Sequence, residues 1–323
     1  MRRYLLKRFA LAAATVLFLA TAMFILFRML PGDPTMTVLS PALHPDTQRE
    51  LRGRFALDKP LPEQYVTYMA NVLRLDFGLS FQHGTSAIAI IAEKLRNTLV
   101  LMVPSLLLAY AGGVLLGAYI AWKRGTRTEL FVTTAAIVFR SGPLFWVALL
   151  FVLVFAIHLP VFPAGHMRTP GSGADGVWET FVSLDFLHHL ILPMLCMAVY
   201  YGCYPLLIMR TSMLEVLGED FIDLSRAKGL SERRVVFGHA LRASLLPIAT
   251  SISLLGAYAA AGSVLVEMVF SWPGLGRLMV SSVVDSDYPV AQGAFLLIGV
   301  LVVAGNLTAD LLYGVLDPRI RYR

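Results

Sequence analysis

The chain has 323 residues, of which 57% are hydrophobic and 15% charged, and its formal net charge is +6. Soluble domains average about 45–50% apolar and about 25% charged residues, so this composition argues against a water-soluble enzyme. It also excludes a disordered chain, and a count of two cysteines excludes a disulfide scaffold. The composition predicts a membrane protein that crosses the bilayer several times.

A membrane-spanning helix needs roughly 20 mostly apolar residues, and six segments meet this requirement. In chain order they are residues 9–27, 97–122, 130–157, 190–209, 245–270 and 290–315. We therefore predict an all-α polytopic membrane protein with six transmembrane helices. The first apolar run is longer than the core of a signal peptide and lacks a clear cleavage site, so we expect a retained span.

Lysine and arginine are unevenly divided between the two sides that six spans create. The side with both termini comprises residues 1–8, 123–129, 210–242 and 316–323, and it carries 16 Lys and Arg in 56 residues. The opposite side comprises residues 28–96, 158–189 and 271–289, with 10 in 120 residues. The positive-inside rule therefore places both termini in the cytoplasm. The lipid bilayer explains the basic charge, and no nucleic-acid partner is needed.

We predict three parts along the chain. Residues 1–96 form an N-terminal transmembrane helix and a long extracytoplasmic segment that includes a polar stretch over 41–62. Residues 97–315 form a five-helix core with cytoplasmic helices at 212–245, and residues 316–323 are a cytoplasmic tail. Within the second span, Gly113 and Gly117 provide a surface on which another helix can pack closely.

The cytoplasmic segment after the fourth span is longer than a simple turn requires. Leu214, Leu217, Phe221 and Leu224 follow helical spacing and predict one apolar stripe on one helix. Gly229 stands where a C-cap glycine belongs, and the next residues predict a second helix that Ser231 can cap, with Glu232 in its first turn. This helix, glycine turn and helix could rest on lipid, brace the bundle or bind a cytoplasmic partner.

This segment resembles the cytoplasmic loop of ABC-importer permeases of the dipeptide, oligopeptide and nickel branch. It reads Asp220-Phe-Ile-Asp-Leu-Ser-Arg-Ala-Lys-Gly229-Leu-Ser-Glu-Arg-Arg and continues through His239-Ala-Leu-Arg to Leu246-Pro247. The Glu-Ala-Ala and Ile-x-Leu-Pro ends of the general permease pattern are largely absent, a departure usual for this branch. The run Ala-Lys-Gly-Leu-Ser-Glu-Arg-Arg is specific to the branch.

Further stretches are similar to the same branch and occur in the same order. They are Leu30-Pro-Gly-Asp-Pro34, Asp76-Phe-Gly-Leu-Ser80, Phe270-Ser-Trp-Pro-Gly-Leu-Gly-Arg277, Asp287-Tyr-Pro-Val-Ala-Gln-Gly293 and Asp317-Pro-Arg-Ile-Arg321. The resemblance thus covers essentially the whole chain. It implies the fold of a type I ABC-importer permease in the bacterial inner membrane.

The resemblance also implies a function and its partners. The chain would be the permease subunit of an ATP-driven importer of di- or oligopeptides delivered by an extracytoplasmic substrate-binding protein, or of nickel or another small solute. A second homologous permease would share the pathway, although a pair of identical chains stays open. ATP and Mg would bind to two partner ATPase subunits or domains, because this chain has no Gly-x-x-x-x-Gly-Lys-Ser/Thr motif. We expect no cofactor and no catalytic residue in the chain itself.

Docking to the ATPase is assigned by resemblance to a run of residues in the cytoplasmic segment. These residues are Asp220, Asp223, Arg226, Ala227, Lys228, Gly229 and Leu230, with Arg233 and Arg234 as additional charge partners. A C-cap role for Gly229 is compatible with docking.

Two further groups of residues are candidates for contact with substrate or binding protein. Arg140, Ser141 and Pro143 lie within the third predicted span, where a charge is costly and a proline opens the backbone hydrogen bonding. Alternatively, the span starts later and Arg140 snorkels at the cytoplasmic edge. The outer loop after the fifth span contains Trp272, Pro273, Gly274 and Gly276, which could touch the binding protein or simply anchor the membrane interface.

Other kinds of site and protein have less support. The outer-side histidines show no His-x-x-x-His pair, so we expect no metal site. An intramembrane protease would need a motif or a paired site that is absent. An ion-coupled secondary transporter is the alternative from a different class, and Arg140 and Asp310 support it only thinly. Such a carrier does not need the long cytoplasmic segment.

Overall fold

The computed structural model describes residues 2–29, 59–171 and 181–316, and these residues form helices without any β-strand. The all-α prediction is therefore confirmed for this part of the chain. The motifs at 30–34 and 317–321, most of the polar stretch at 41–62 and nearly all of the predicted tail at 316–323 lie outside the described residues.

The helices are α1 (Arg2–Met29), α2 (Leu61–Leu73), α3 (Ala87–Trp122), α4 (Arg127–Ser141), α5 (Leu144–Val152), α6 (Leu184–Val216), α7 (Asp220–Ala227), α8 (Glu232–Arg234), α9 (Leu241–Ala243), α10 (Leu245–Val269), α11 (Leu275–Val284) and α12 (Tyr288–Leu316). Two π-helical turns, Leu153–His158 and Val235–Ala240, continue α5 and α8.

Several helices are long and apolar enough to cross a membrane. Among the described residues these are Leu6–Arg28, Ala87–Trp122, Leu184–Val216 and Tyr288–Thr308. The bent pair Arg127–Ser141 and Leu144–His158 is a fifth candidate if it forms one span. Helix α10 covers the place where the fifth span is predicted. The described helices thus support a polytopic membrane protein.

The third predicted span, 130–157, is not a single helix. Helices α4 and α5 meet at an angle of 110°. Pro143 has no N–H to continue the helix, and it also disfavours helical backbone at the residue before it. Gly142 accordingly adopts extended backbone with φ −78° and ψ 153°. The predicted break at Pro143 is confirmed, and its consequence is a sharp bend.

The described chain divides into two compact units. One contains Arg2–Leu99 and Pro273–Ala304, and the other contains Val100–Trp272 and the chain from Gly305 onward. The division falls inside α3, close to the predicted boundary at residues 96 and 97. That predicted boundary concerns membrane topology and stays a prediction, because compactness does not report which residues lie outside the bilayer.

In the larger unit, α3 and α6 pack closely through glycines. A Cβ atom at Gly113 would lie 2.6 Å from the Gly202 carbonyl oxygen. A Cβ atom at Gly117 would lie 2.5 Å from the Leu206 carbonyl oxygen. The close helix contact predicted for Gly113 and Gly117 is therefore confirmed, and it fixes α6 against α3 where α6 approaches its C-terminal end.

The other unit joins two of the family-like motifs. Asp287, at the start of α12, accepts hydrogen bonds from the Ser80 hydroxyl and from the Phe81 N–H, the latter at 3.0 Å. A Cβ atom at Gly293 on α12 would lie only 3.0 Å from the Phe77 ring. The Asp76–Ser80 and Asp287–Gly293 motifs are thus in contact, through the hydrogen bonds of the buried Asp287 carboxylate and through the close approach of Gly293 to the Phe77 ring.

Candidate functional site

Within the predicted 212–245 segment, residues 217–243 form a compact elbow at the end of α6. Helix α6 ends at Val216, Leu217–Glu219 make a turn, and α7 runs from Asp220 to Ala227. After Gly229 the chain forms α8, the π-helical turn Val235–Ala240 and α9. The predicted order of helix, glycine turn and helix is confirmed.

Gly229 makes the turn between α7 and α8 through its backbone conformation. Its φ is +77°, in the left-handed region that favours glycine, and its N–H donates to the Arg226 carbonyl at 2.9 Å. No heavy atom lies within 4 Å of the position of an added Cβ atom. The requirement for glycine here is therefore conformational, and the C-cap prediction is confirmed.

Ser231 occupies the predicted N-cap position but does not cap with its side chain. Its carbonyl accepts the N–H groups of Arg234 at 2.8 Å and Val235 at 3.0 Å, and its side chain makes no capping hydrogen bond. The second helix therefore starts where the sequence predicts, by backbone hydrogen bonds alone. Glu232 lies in its first turn as predicted.

The predicted apolar stripe over Leu214, Leu217, Phe221 and Leu224 is wrong. The helix is interrupted at Leu217–Glu219, so these residues do not share one helix. The buried residue of α7 is Ile222, whereas Phe221 is 43% and Leu224 56% exposed. Residues on two separate helices cannot continue one period, and the turn rotates α7 so that Ile222 faces inward.

Ile222 anchors α7 in an apolar cluster. It is fully buried, and the cluster draws its members from α3, α6, α7, the π-helical turn and α10. The fully or nearly fully buried members are Ala118, Ala121, Met209, Met213, Ile222, Val235, Val236, Ala240 and Ile248. Burial of a side chain such as Ile contributes about 1.5–3 kcal/mol, so this cluster holds the elbow firmly on α6.

A charged clamp crosses the Gly229 turn. Arg226 donates from Nε to Glu232 Oε1 at 2.8 Å and from Nη1 to Asp223 Oδ1 at 3.0 Å. The Glu232 and Asp223 carboxylates raise the pKa of Arg226 above its usual range by accepting these hydrogen bonds. The clamp ties α7 to α8, so two of the predicted docking residues, Asp223 and Arg226, also stabilise the elbow itself.

Most of the predicted docking residues lie on the surface. Asp220, Asp223, Arg226, Ala227, Lys228, Gly229, Arg233 and Arg234 are exposed, and Leu230 is half-buried against the Ile222 cluster. Phe221 and Leu224 add exposed apolar area on the same short helix. The exposure of Phe221 and Leu224 does not follow from the sequence pattern, because helical spacing places both on the predicted apolar stripe. The stretch 220–234 therefore presents a mixed apolar and charged surface.

A recess of about 410 Å³ lies beside the elbow. Its lining mixes apolar and charged side chains from α3, the loop after α3, α6, α7 and α8. The lining residues are Ala121, Trp122, Arg124, Leu214, Leu217, Gly218, Arg226, Glu232 and Val236.

Glu129 and Arg210 form an ion pair near the elbow. Arg210 donates to Glu129 Oε1 from Nε at 2.9 Å and from Nη2 at 2.5 Å. Glu129 Oε2 accepts the Gly125 N–H at 2.7 Å, and the Thr126 hydroxyl accepts the Glu129 N–H at 3.4 Å. The spacing of Thr126 and Glu129 is that of a capping box, which could have indicated Glu129 as a helix-start residue. No sequence signal pairs it with Arg210.

The candidate pathway residues lie at the bend between α4 and α5. Arg140 is exposed, and its guanidinium carbon lies 5.5 Å from the centroid of the Tyr200 ring on α6. The Ser141 hydroxyl donates to the Ile137 carbonyl at 2.7 Å, and Pro143 directly precedes α5. The cation–π contact orients Arg140 against α6. A pathway role for these three residues stays a prediction.

The outer-loop candidates contribute to packing. Trp272 is fully buried in an apolar cluster, with its ring centroid 5.9 Å from that of Phe186, and its backbone N–H donates to the Glu267 carbonyl at 2.8 Å. Gly274 and Gly276 are buried, and Pro273 is half-buried. The carbonyl of Pro273 accepts the Asn97 side-chain N–H at 2.9 Å. The Trp272 ring is therefore covered by protein and cannot anchor the loop by contact with lipid, and contact of this loop with a binding protein stays a prediction.

Metal ligands do not cluster in the part of the chain that the structure describes. There, no three His, Cys, Asp or Glu side chains lie close enough together to hold a metal ion. Cys196 and Cys203 are both buried free thiols.

The sequence matches a known family over nearly its whole length. Residues 113–322 match the binding-protein-dependent transport system inner membrane component, and residues 1–102 match the N-terminal region of such membrane components. The chain is 34% identical over 323 residues to the oligopeptide transport system permease protein AppB of Bacillus subtilis (strain 168), with all of both chains covered.

Two other relatives are equally similar. The dipeptide transport system permease protein DppB of Escherichia coli (strain K12) is 34% identical over 342 residues, and all of both chains is covered. The di/tripeptide transport system permease protein DppB of Pseudomonas aeruginosa (strain UCBPP-PA14) is 35% identical over 340 residues with the same coverage. This chain therefore belongs to the family of binding-protein-dependent transport system inner membrane components and is a multi-pass protein of the inner membrane.

Proposed function

We propose that this chain is one permease subunit of an ATP-driven importer that takes up di- and oligopeptides from an extracytoplasmic substrate-binding protein. The family match and the peptide-permease names of its full-length relatives support the class of substrate. The observation that carries the proposal is the 220–234 stretch of the elbow, which is anchored by Ile222 and exposes a mixed apolar and charged surface. Such a surface suits a folded protein partner better than lipid, because acidic side chains are interspersed with basic ones.

The proposed topology has six spans with both termini and the elbow in the cytoplasm. The enrichment of Lys and Arg in the segments on that side supports it. The elbow then lies where a cytoplasmic ATPase can reach it. Helix α6 is continuous from Leu184 to Val216, so it leads directly from the membrane to the elbow.

The proposed mechanism uses the elbow as a rigid lever. The ATPase grips the surface formed by Phe221, Leu224 and the charged residues of 220–234. Arg226 joins α7 to α8, and Ile222 holds α7 in the apolar cluster. A force that the ATPase exerts on this surface therefore moves the elbow as one rigid body. ATP and Mg bind in the two ATPase partners, which supply the hydrolysis. The elbow passes the movement to the spans, which then open alternately to the two sides of the membrane.

The remaining partners complete the pathway. A second permease of the same family lines it together with this chain, and the binding protein delivers peptide on the extracytoplasmic side. We place Arg140, Ser141 and Pro143 along the pathway, where the positive charge would attract a peptide carboxylate. We place the loop at 273–276 near the entrance of the pathway.

The experiment that tests this function uses the complex with its ATPases, second permease and binding protein in proteoliposomes. Leu224→Glu places a charge in the exposed apolar part of the docking surface, and Leu73→Glu on α2 is the matched control, since Leu73 is also exposed. We expect Leu224→Glu to lose the ATPase during purification and to abolish ATP-dependent uptake of a labelled dipeptide. The control should retain the ATPase. Retention of the ATPase with unchanged uptake in Leu224→Glu would contradict the proposal.

A further inference from the structure

The Glu129–Arg210 pair occupies a place where three elements of the larger unit meet. Glu129 is in the first turn of α4 and binds the Gly125 N–H in the loop that follows α3. Arg210 is on α6. The Arg210 backbone nitrogen would be 3.3 Å from a Cβ atom at Gly117, so α3 passes closely at the same level. This pair therefore connects α4 to α6 at the point where α3 crosses it.

The pair is more protected than an ordinary surface ion pair. The Glu129 side chain is 11% exposed and that of Arg210 28% exposed. The two side chains are also hydrogen-bonded, through Arg210 Nε and Nη2 to Glu129 Oε1. Removing one partner of a buried pair leaves an uncompensated charge, which costs far more than loss of an exposed pair. The contact is therefore a firm link between the two helices.

Capping of α4 does not require Arg210. The Thr126 hydroxyl accepts the Glu129 N–H, and Glu129 Oε2 binds the Gly125 N–H without any help from α6. Arg210 uses the second carboxylate oxygen, Oε1. The arginine thus adds a connection between helices that the helix terminus alone does not need.

The position of each residue in its helix suggests what the connection does. Arg210 lies about two helical turns before α6 ends at Val216, where the elbow begins. Glu129 starts α4, and the unbroken helix carries it to Arg140, about 16 Å away at 1.5 Å per residue. A movement of the C-terminal end of α6 can therefore be passed through the ion pair and along the rigid helix α4 to the bend between α4 and α5.

We propose that Glu129 and Arg210 are positioning residues that transmit movement of the elbow to α4 and its bend. The inference rests on the proposed function, because it presumes that an ATPase moves the elbow. It assigns to the pair the transfer of motion between two spans, a role that requires no contact of either residue with the ATPase or the substrate. Loss of the pair should therefore leave ATP hydrolysis in place and disconnect it from transport.

The test measures dipeptide uptake per ATP hydrolysed in proteoliposomes that contain the full complex and binding protein. Glu129→Gln keeps an oxygen for the Gly125 N–H but removes the charge, and Arg210→Met removes the guanidinium. We expect each to lower uptake per ATP about fivefold, which corresponds to a modest coupling free energy between sites. The double variant should be no worse than either single one, because both break the same contact.

Two further variants separate this role from general stability. Arg210→Lys keeps the charge and should retain most of the coupling, whereas a purely volume-filling role would be equally served by methionine. Glu93→Gln removes an exposed pair with Lys94 and should behave as wild type. Additive losses in the double variant, or uptake per ATP equal to wild type in both single variants, would overturn the inference.

A second readout does not depend on the substrate. Spin labels at Glu219→Cys and Ile137→Cys, both exposed positions, report whether α4 follows the elbow. Their separation should stay nearly constant when ATP is added to the wild-type complex and should change in Glu129→Gln. Equal changes in both would refute the link. A wild-type complex that hydrolyses ATP but takes up no dipeptide would instead contradict the proposed function, and the distance between the two labels would still test this inference.

Discussion

Arg226 and Glu232 form an ion pair across the Gly229 turn, with Nε donating to Oε1 at 2.8 Å. The two residues belong to α7 and to the first turn of α8, so the pair joins the two short helices across the turn. Arg226 also binds Asp223 within α7, which holds the guanidinium in place. The exposed elbow is therefore a preformed surface.

The first prediction concerns this clamp. Glu232→Gln should lower the free energy of unfolding by only about 0.2–1 kcal/mol, because the pair is exposed. It should nevertheless reduce stimulation of ATP hydrolysis by the binding protein, since a loose turn transmits force poorly. Purified complexes assayed for thermal stability and for stimulated hydrolysis check both parts. Glu63→Gln, which removes an exposed pair with Lys59, is the control and should affect neither. Full stimulation in Glu232→Gln would show that the clamp has no role in coupling.

The second prediction concerns Gly229. Gly229→Ala should destabilise the elbow by about 1 kcal/mol, because an alanine at φ +77° is strained. Gly229→Asn should be milder, since asparagine tolerates this conformation better. Gly238→Ala in the same segment is the control, because its Cβ atom would meet only the Arg234 side chain at an ordinary 3.8 Å. Proteolysis of the elbow in detergent-solubilised protein measures the difference. Equal protection of Gly229→Ala and Gly238→Ala would contradict the conformational account.

The third prediction concerns the crossing of α3 and α6. Gly117→Ala places a methyl group 2.5 Å from the Leu206 carbonyl oxygen and should cost about 1–3 kcal/mol by forcing the helices apart. Gly112→Ala is the control, because nothing lies within 4 Å of its added Cβ atom. The melting temperature of the purified permease reports the difference. If both variants melt at the same temperature, the helices do not pack as closely as described.

These contrasts show which features local chemistry decides. Gly229 and Pro143 were predictable because a left-handed C-cap and a missing N–H act within one or two residues. The close contact at Gly113 and Gly117 was predictable because only small side chains permit it. In each case residue type alone carries the information: it fixes the local backbone at Gly229 and Pro143, and it marks one face of α3 as open to close approach by another helix.

Features that depend on tertiary packing were not predictable in the same way. Phe221 and Ile222 are adjacent apolar residues, and the turn before α7 decides which of them faces inward. Glu129 and Arg210 are far apart in the chain, and nothing local joins them. Trp272 suits a membrane interface by its chemistry, but the neighbouring helices bury it.

The fourth prediction concerns Trp272 as an interior residue. Trp272→Ala should lower the free energy of unfolding by about 3–5 kcal/mol, because it removes a fully buried ring. Trp272→Phe should restore most of the stability and most of the dipeptide uptake. Thermal stability and uptake at saturating binding protein are measured together. If Trp272→Ala is as stable as wild type yet loses uptake, the ring contacts substrate or binding protein, and this result would contradict its assignment as a packing residue.

The central claim is that a partner ATPase grips the elbow from the cytoplasm, and cross-linking at Leu224 tests it most directly. The native cysteines Cys196 and Cys203 are buried, so a cysteine introduced at exposed Leu224 is the accessible one within the described part of the chain. In the assembled transporter, Leu224→Cys should cross-link to the ATPase subunit and should react with a membrane-impermeant thiol reagent only from the cytoplasmic side. Labelling from the outside, or an assembled and active complex without any cross-link to the ATPase, would contradict the account.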